Sequence, residues 1–536
     1  MTDEERAPTP YEGEEVKAWR DAALTGRKWF EENGITFLRH YTGSLACVPS
    51  RPTLFTGQYP DLHGVTQTDG LGKAYSDTRM RWLRQGEVPT LGHWFRAAGY
   101  DTHYDGKWHI SHADLTDPET GLPLATNTDK GEIIDSAVEA YLDANPLDPY
   151  GFGGWVGPEP HGAPLANSGA IRDGLIADRV VAWLENRYQL RREGDPQALR
   201  PFLLVASFVN PHDIVLFPAW KRRDISPLTE TDLLPPDIPE SPTRHEDLST
   251  KPAAQIAYKH SYYSGYGPTR TLREVYEENE QEYRNLYYRL HLEVDAPLDR
   301  VRQAVTSGNE GETVLFRTAD HGDLLGSHGG LHQKWFNLYD EAARVPFQIV
   351  RIGRNPTVPQ IIESTPTSHV DLIPTALSLA GLDQQQLSQE LSDNFSEVHT
   401  LPGRDLSAFV NGEDSASLSE RSVYFMTRDN MLEGDTLASG MARALGMNKK
   451  PPPPLRIQVP AHVACNFEGI VTSVPRKIAE EGKGHLWKIV RAFDDPETWS
   501  TPHVSHLSAS PLRGGDTYRT EPIPDQWELY DLTVDP

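Results

Sequence analysis

Four short polar clusters most constrain this 536-residue chain, because each comes after a run that reads as a β-strand. Cys47 with Arg51 follows residues 35–38, and Lys107 with His109 follows 100–104. His212 follows 202–209, Asp320 with His321 follows 313–316, and Lys334 lies shortly beyond. Helical stretches alternate with these runs. Residues 14–32 are helix-like, and 91–98 set apolar residues on one face and stop at Gly99. Residues 171–185 line up Ile171, Leu175, Ile176, Val180 and Leu184 on one stripe. Helices over 280–305 and 372–379, the latter ending at Gly381, and a strand over 345–351 continue the alternation. Strands alternating with helices, with chemistry-bearing residues just past the strand ends, specify an α/β fold. The expectation is a large, mostly parallel sheet sandwiched by helices, binding its ligand beyond the carboxyl ends of the strands.

The pattern changes near residue 415. Residues 421–426, 485–493 and 527–532 read as strands with little helix between them, and 451–454 is an all-proline extended loop. We expect a large domain over 1–415 and a smaller, mainly antiparallel α+β domain over 416–536. Residues 113–165 and 214–275 are rich in Pro and Gly and poorly periodic, and are expected to be loops over the face where ligands bind.

Composition removes several functions. The formal net charge is -26, from 77 acidic against 51 basic residues, which argues against nucleic acid or an anionic membrane as partner. The longest apolar run, 202–209, is far too short to span a bilayer. No signal peptide is visible in residues 1–6, which sets a cytoplasmic location as the weak expectation. Only Cys47 and Cys465 are present, so a modified Cys47 would leave no intrachain disulfide to form.

A free cysteine is usually a small buried hydrophobe. The surroundings of Cys47 argue otherwise. Pro49 suits the first turn of a helix, and Gly34-Ile35-Thr36-Phe37 reads as a turn into a strand. Cys47 should therefore sit where a strand turns into a helix N-terminus, among free N–H groups suited to an anion. Arg51 adds a fixed positive charge one turn further on.

The stretch Cys47-Val48-Pro49-Ser50-Arg51, closing with Leu54-Phe55-Thr56-Gly57, resembles the signature of the sulfatase family. Gly106-Lys107-Trp108-His109 resembles that family's lysine-histidine motif, Pro211-His212 its next histidine, and Thr318-Ala319-Asp320-His321-Gly322 its second metal motif. Leu325-Gly326-Ser327-His328-Gly329, Lys334, Tyr339, Arg344-Val345-Pro346, His369-Val370-Asp371-Leu372-Ile373-Pro374-Thr375 and Glu528-Leu529-Tyr530-Asp531-Leu532 also follow the pattern. The resemblance covers nearly the whole chain and implies an alkaline-phosphatase-like fold with a large mixed sheet.

It also implies the chemistry. Cys47 would be oxidised to formylglycine by a maturation enzyme, and its hydrate would attack the sulfur of a small-molecule sulfate monoester. Asp3, Glu4, Asp320, His321 and the Cys47 derivative would hold one divalent cation. Glu4 departs from the family's usual Asp or Gln, and His321 stands where many members have Asn. Oxygen-rich coordination favours Ca²⁺ or Mg²⁺, and the imidazole moves the choice toward Mn²⁺; Ca²⁺ is the expectation. Arg51, Lys107 and Lys334 would offset negative charge, His212 would assist the leaving alcohol, and His109 would take the proton that releases the sulfate. Two alternatives stand beside this. A phosphonate monoester or phosphodiester hydrolase of the same superfamily pairs Asp with His as Asp320-His321 does, and a non-catalytic binding protein would keep the fold alone. The family has an apolar strand before Asp3-Glu4, where this chain has Met1 and Thr2, so truncation at both ends or a misassigned start is expected.

Overall fold

The computed structural model describes residues 1–69, 75, 80–160, 164–265, 269–309, 311–413, 421–428, 463–473, 485–496, 505–506, 518–519 and 521–534. The principal strands are β1 (Ile35–Phe37), β2 (Asp101–Gly106), β3 (Phe202–Ser207), β4 (Thr313–Thr318), β5 (Phe347–Ile352) and β6 (Gln360–Ile362). After them come β7 (Ser422–Thr427), β8 (Asn466–Ser473), β9 (Leu486–Phe493) and β10 (Gln526–Asp531). The helices that position the site are α1 (Glu14–Ala23), α2 (Thr25–Asn33), α3 (Cys47–Thr56), α4 (Leu91–Ala97), α5 (Gly169–Glu193), α6 (Glu280–Gly308) and α7 (Leu372–Leu379).

Strands β2 and β3 pair in parallel from Asp101 opposite Phe202 to Gly106 opposite Ser207. A four-stranded sheet runs in the order β4-β5-β1-β6, with β5 antiparallel to both neighbours and β1 parallel to β6. Residues 1–3 join the two sheets. Thr2 bridges Ala319 and Asp3 bridges Pro211, both in parallel sense. The Met1 carbonyl accepts the Phe208 N–H at 2.9 Å, and the Met1 amine donates to the Ala206 carbonyl at 2.7 Å. The combined array is mixed and mostly parallel. Residues 202–206 and 313–316 are only half-buried, and among the described residues no strand pairs with the edges of β3 and β4 that face each other there.

Alternate strand residues go to opposite faces. Leu203, Val205, Val314 and Phe316 point toward Val48, Leu54 and Phe55 of α3, Trp94 of α4 and Ile373 of α7. Phe202, Leu204, Leu315 and Val350 point the other way, toward Phe30 of α2, Ile176, Val180 and Leu184 of α5, and Val294 and Leu298 of α6. The helix side chains are the fully buried partners, among them Val48, Leu54, Ile373, Ile176, Val180 and Leu184, and each stabilises by about 1.5–3 kcal/mol. The two apolar layers therefore hold the strand ends, and the polar residues on them, at fixed relative positions.

Two expectations are corrected. The helix over 14–32 is two helices broken at Leu24 (φ -98°, ψ 63°). The break has a tertiary cause: Asp295 of α6 accepts the Gly26 and Arg27 N–H groups at 2.8 and 3.1 Å and so caps α2 from another element. The stretches 113–165 and 214–275 are not loops throughout. They contain the helices Asp135–Ala144, Phe217–Arg223, Ala253–Gly265 and Thr269–Glu278. Packing of Tyr141, Trp220, Tyr258 and Tyr276 into the core stabilises these short helices where local periodicity is weak.

The C-terminal sheet is antiparallel throughout, in the order β10-β9-β8-β7. Strands β7, β9 and β10 match the expected ones. Strand β8 went unread, although Phe467, Gly469 and Val471 point inward between Glu468 and Ile470. The proline run at 451–454 and the expected domain boundary at 415–416 lie outside the described residues. The sheet is tied to the larger body by Lys488, which donates to the Leu338 carbonyl at 2.9 Å, and by Arg421, whose guanidinium holds both oxygens of Asp371 at 2.9 Å. Among the described residues no helix is long and apolar enough to cross a membrane.

Candidate active site

Cys47 is the first residue of α3, and the turn before it places Ala46 at φ +65°. The thiol is buried. Its Sγ lies 3.1 Å from His321 Nε2, 3.8 Å from Asp3 Oδ1 and 3.8 Å from Lys107 Nζ. Two strand ends and the bridging segment thus meet one helix N-terminus. Asp3 is the last residue of the bridging segment, Lys107 follows β2 and His321 follows β4.

Ion pairs knit the centre together. Lys107 Nζ is 2.8 Å from Asp3 Oδ2. The Arg51 guanidinium reaches Asp3 Oδ2 at 3.8 Å and Asp320 Oδ2 at 3.6 Å, and donates to Ser207 Oγ at 2.7 Å. Lys334 donates to Glu4 Oε2 at 2.9 Å, and His212 Nε2 lies 4.0 Å from the same oxygen. Asp320 Oδ1 accepts the backbone N–H groups of Glu4 and His321 at 3.0 and 2.9 Å, and the Asp320 carbonyl accepts from Ser50 Oγ at 2.5 Å. His321 Nδ1 donates to the Gly322 carbonyl at 3.0 Å, which leaves Nε2 as the lone-pair nitrogen facing Cys47. Glu4 and His109 have φ of +64° and +51°. Such conformations cost roughly 1–2 kcal/mol each and persist only where surrounding contacts impose them.

Burial and charge set the protonation states. Burial raises the Cys47 thiol well above its ordinary range, and the neighbouring Asp3 carboxylate adds to the effect. Burial lifts Glu4 to about 8 against the pull of Lys334. Burial favours protonation of Asp3, but Lys107, His212 and Arg51 outweigh it and hold the carboxylate well below its ordinary range. Its partner Asp320 is raised, by burial first and the Asp3 charge second. Burial, helped by Lys334, pushes His321 down to about 3, so the ring is neutral and able to ligate.

The donor set suits a divalent cation. Ligand atoms of Asp3, Cys47, Asp320 and His321 lie within 4.8 Å of one another, as do those of Asp3, Glu4 and His212. The buried Glu4 Oε1 and Asp320 Oδ2 accept no hydrogen bond. Packed carboxylates with unsatisfied oxygens are stabilised by a hard cation.

Of the residues expected from sequence, Asp3, Glu4, Cys47, Arg51, Lys107, His212, Asp320, His321 and Lys334 are brought together by these contacts. Glu4 lies toward Lys334 and His212, not in the four-residue group around Cys47. His109 lies on the loop after β2, where its ring bonds to Asp69, Nε2 to Oδ1 at 2.7 Å, rather than to the group around Cys47 in any of the contacts above. Three supporting acids were missed. Asp69 reaches His109 from the segment after α3. Glu159 accepts the Trp108 and His109 N–H groups at 3.1 and 3.0 Å. Asp173 of α5 accepts the Val209 and Asn210 N–H groups at 2.6 and 3.0 Å and so holds the turn that carries His212. None follows a strand, and an acid in a loop or on a helix carries no distinguishing local signal.

The family model described as Sulfatase matches residues 15–382. The choline-sulfatase of Rhizobium meliloti (strain 1021) is 27% identical over 401 residues, which is 72% of this chain and 67% of that protein. The uncharacterized sulfatase YidJ of Escherichia coli (strain K12) is 27% identical over 358 residues, 66% of this chain and 62% of that protein. The matches thus span about two thirds of these relatives. Among solved structures, a 2-O GAG sulfatase superposes with TM-score 0.56 at 19% identity, covering 99% of this chain and 84% of its own. The phosphonate monoester hydrolase of Agrobacterium radiobacter superposes with TM-score 0.53 at 18% identity, covering 100% and 89%. The chain belongs to the sulfatase family.

Proposed function

We propose that the protein hydrolyses a small-molecule sulfate monoester at the Cys47 centre, with Cys47 converted to formylglycine and one divalent cation, Ca²⁺ by preference, held by Asp3, Glu4, Asp320, His321 and the Cys47 derivative. The observation that carries this is the surroundings of Cys47: a helix N-terminus, an imidazole nitrogen at 3.1 Å, and Asp3 and Lys107 each at 3.8 Å. When bound, the cation supplies a Lewis acid and the aldehyde hydrate a nucleophile. The chain's own residues do the rest. Lys107, Lys334 and Arg51 surround the position of the sulfuryl oxygens with positive charge already fixed by buried ion pairs, so little reorganisation is needed as charge develops. His212 donates a proton to the leaving alcohol, and His109 accepts the proton whose loss frees the sulfate. Burial keeps competing water out. A maturation enzyme is the protein partner this reading requires.

The test is turnover of p-nitrophenyl sulfate by protein made with a formylglycine-generating enzyme, beside Cys47→Ala. The variant should lose at least about 10⁴-fold in kcat, and the wild-type Cys47 peptide should be about 18 Da lighter than the thiol form. Equal activity of the two would defeat the reading. Choline sulfate and sulfated sugars complete the panel, since the relatives named above include a choline-sulfatase and a 2-O GAG sulfatase.

A phosphonate monoester is the second reading, favoured by the pairing of Asp320 with His321 and by His321 Nε2 facing Cys47. Phenyl phosphonate monoester run in parallel decides. A higher kcat/KM on the phosphonate would replace the sulfate assignment.

A further inference from the structure

Asp69 comes from neither a strand end nor any motif of the site, yet its carboxylate is buried with Oδ1 2.7 Å from His109 Nε2. We propose that Asp69 is the positioning residue that fixes His109 as proton acceptor; this rests on the sulfatase reading above. With the Asp69 carboxylate as acceptor, Nε2 donates and so carries a ring proton, which makes Nδ1 the nitrogen that would take a further proton. The backbone is held as firmly as the ring. Glu159 Oε2 accepts the His109 N–H at 3.0 Å, and the residue is kept at φ +51°. The Trp82 ring lies 6.0 Å away, centroid to centroid. One carboxylate orients the main chain and a second sets the tautomer, the arrangement by which a base is aimed through a third group. The ammonium of Lys107, two residues earlier, is paired with Asp3 at 2.8 Å.

Two measurements on the full chain test this. The first is ¹⁵N-histidine NMR, with His109→Gln supplying the assignment. His109 should be the Nε2–H tautomer in the wild-type protein and a mixture of tautomers in Asp69→Asn. A wild-type Nδ1–H tautomer overturns the proposal without recourse to any variant, so it stays testable even if Asp69→Asn fails to fold. The second is steady-state hydrolysis of p-nitrophenyl sulfate. Asp69→Asn should lower kcat about 100-fold with KM changed less than about threefold. Unchanged kcat, or a raised KM at unchanged kcat, also overturns it, the latter because it marks a substrate contact. If no sulfate ester is turned over, the sulfatase reading fails, while the NMR result still decides whether Asp69 sets the ring.

Discussion

Lys107 and Asp3 show how single residues here are specified by each other. Both side chains are fully buried and 2.8 Å apart. Burial works against the charge on Lys107, but Asp3 more than offsets it and holds the ammonium above its ordinary range. Removing one member of a buried pair leaves the other uncompensated, at about 3–5 kcal/mol. Lys107→Met should therefore lower stability by about that amount in chelator-treated protein, and added Ca²⁺ should recover part of it by supplying positive charge to Asp3. Thermal melts with and without chelator read both effects, and no recovery with Ca²⁺ would argue against a cation beside Asp3. At this scale the sequence was informative. Cys47, Lys107, Asp320 and His321 could be expected together because each comes after a run that reads as a strand, and the structure brings them within reach of one another. Asp69, Glu159 and Asp173 could not be, because they act across the fold on other residues' rings and amides.

Among elements, the connections between strand ends and helices carry the precision. Asp173 reaches from α5 to accept two amides of the segment after β3. Each amide left unpaired in the interior costs about 1–3 kcal/mol. Asp173→Ala should thus destabilise by about 2–5 kcal/mol and lower kcat through His212, seen as a reduced melting temperature together with slower turnover. His328 makes a second tie. Its ring stacks on Tyr339 at 3.5 Å between centroids and bonds Glu246 at 3.0 Å and Glu341 at 3.1 Å. Burial works against its charge, but the two glutamates outweigh burial and raise it from 6.5 to about 9. A folded-state value above the unfolded one means the contribution is complete below about pH 6.5 and lost as pH rises through about 9. A shift of this size corresponds to about 3 kcal/mol. Denaturant melts between pH 6 and 10 should show that loss in the wild-type protein and a flatter profile in His328→Gln. The break at Leu24 belongs to this scale as well: a periodic pattern over 14–32 does not reveal a cap supplied by Asp295 on α6.

In the whole molecule, Cys47 sits at the buried N-terminus of α3 and is only 2% exposed. Any enzyme that converts this thiol must first reach it, which the 2% exposure of the folded form prevents. Folded thiol-form protein should therefore stay unconverted when mixed with such an enzyme, and the urea-unfolded chain should lose about 18 Da at the Cys47 peptide. Conversion of the folded form at the same rate would contradict the burial. The alternation of strands and helices, and the gathering of Cys47, Lys107 and His321 at one edge of the sheet, follow from local sequence, since periodicity and the position of polar residues after strands are local features. Only the tertiary structure decided that residues 1–3 bridge β3 and β4, that Asp295 splits a helix, that Glu4 faces Lys334, and that Asp69 holds His109. Those outcomes depend on which groups meet after residues tens to hundreds of positions apart are brought together, where burial and charge between distant segments settle partners that no local pattern records.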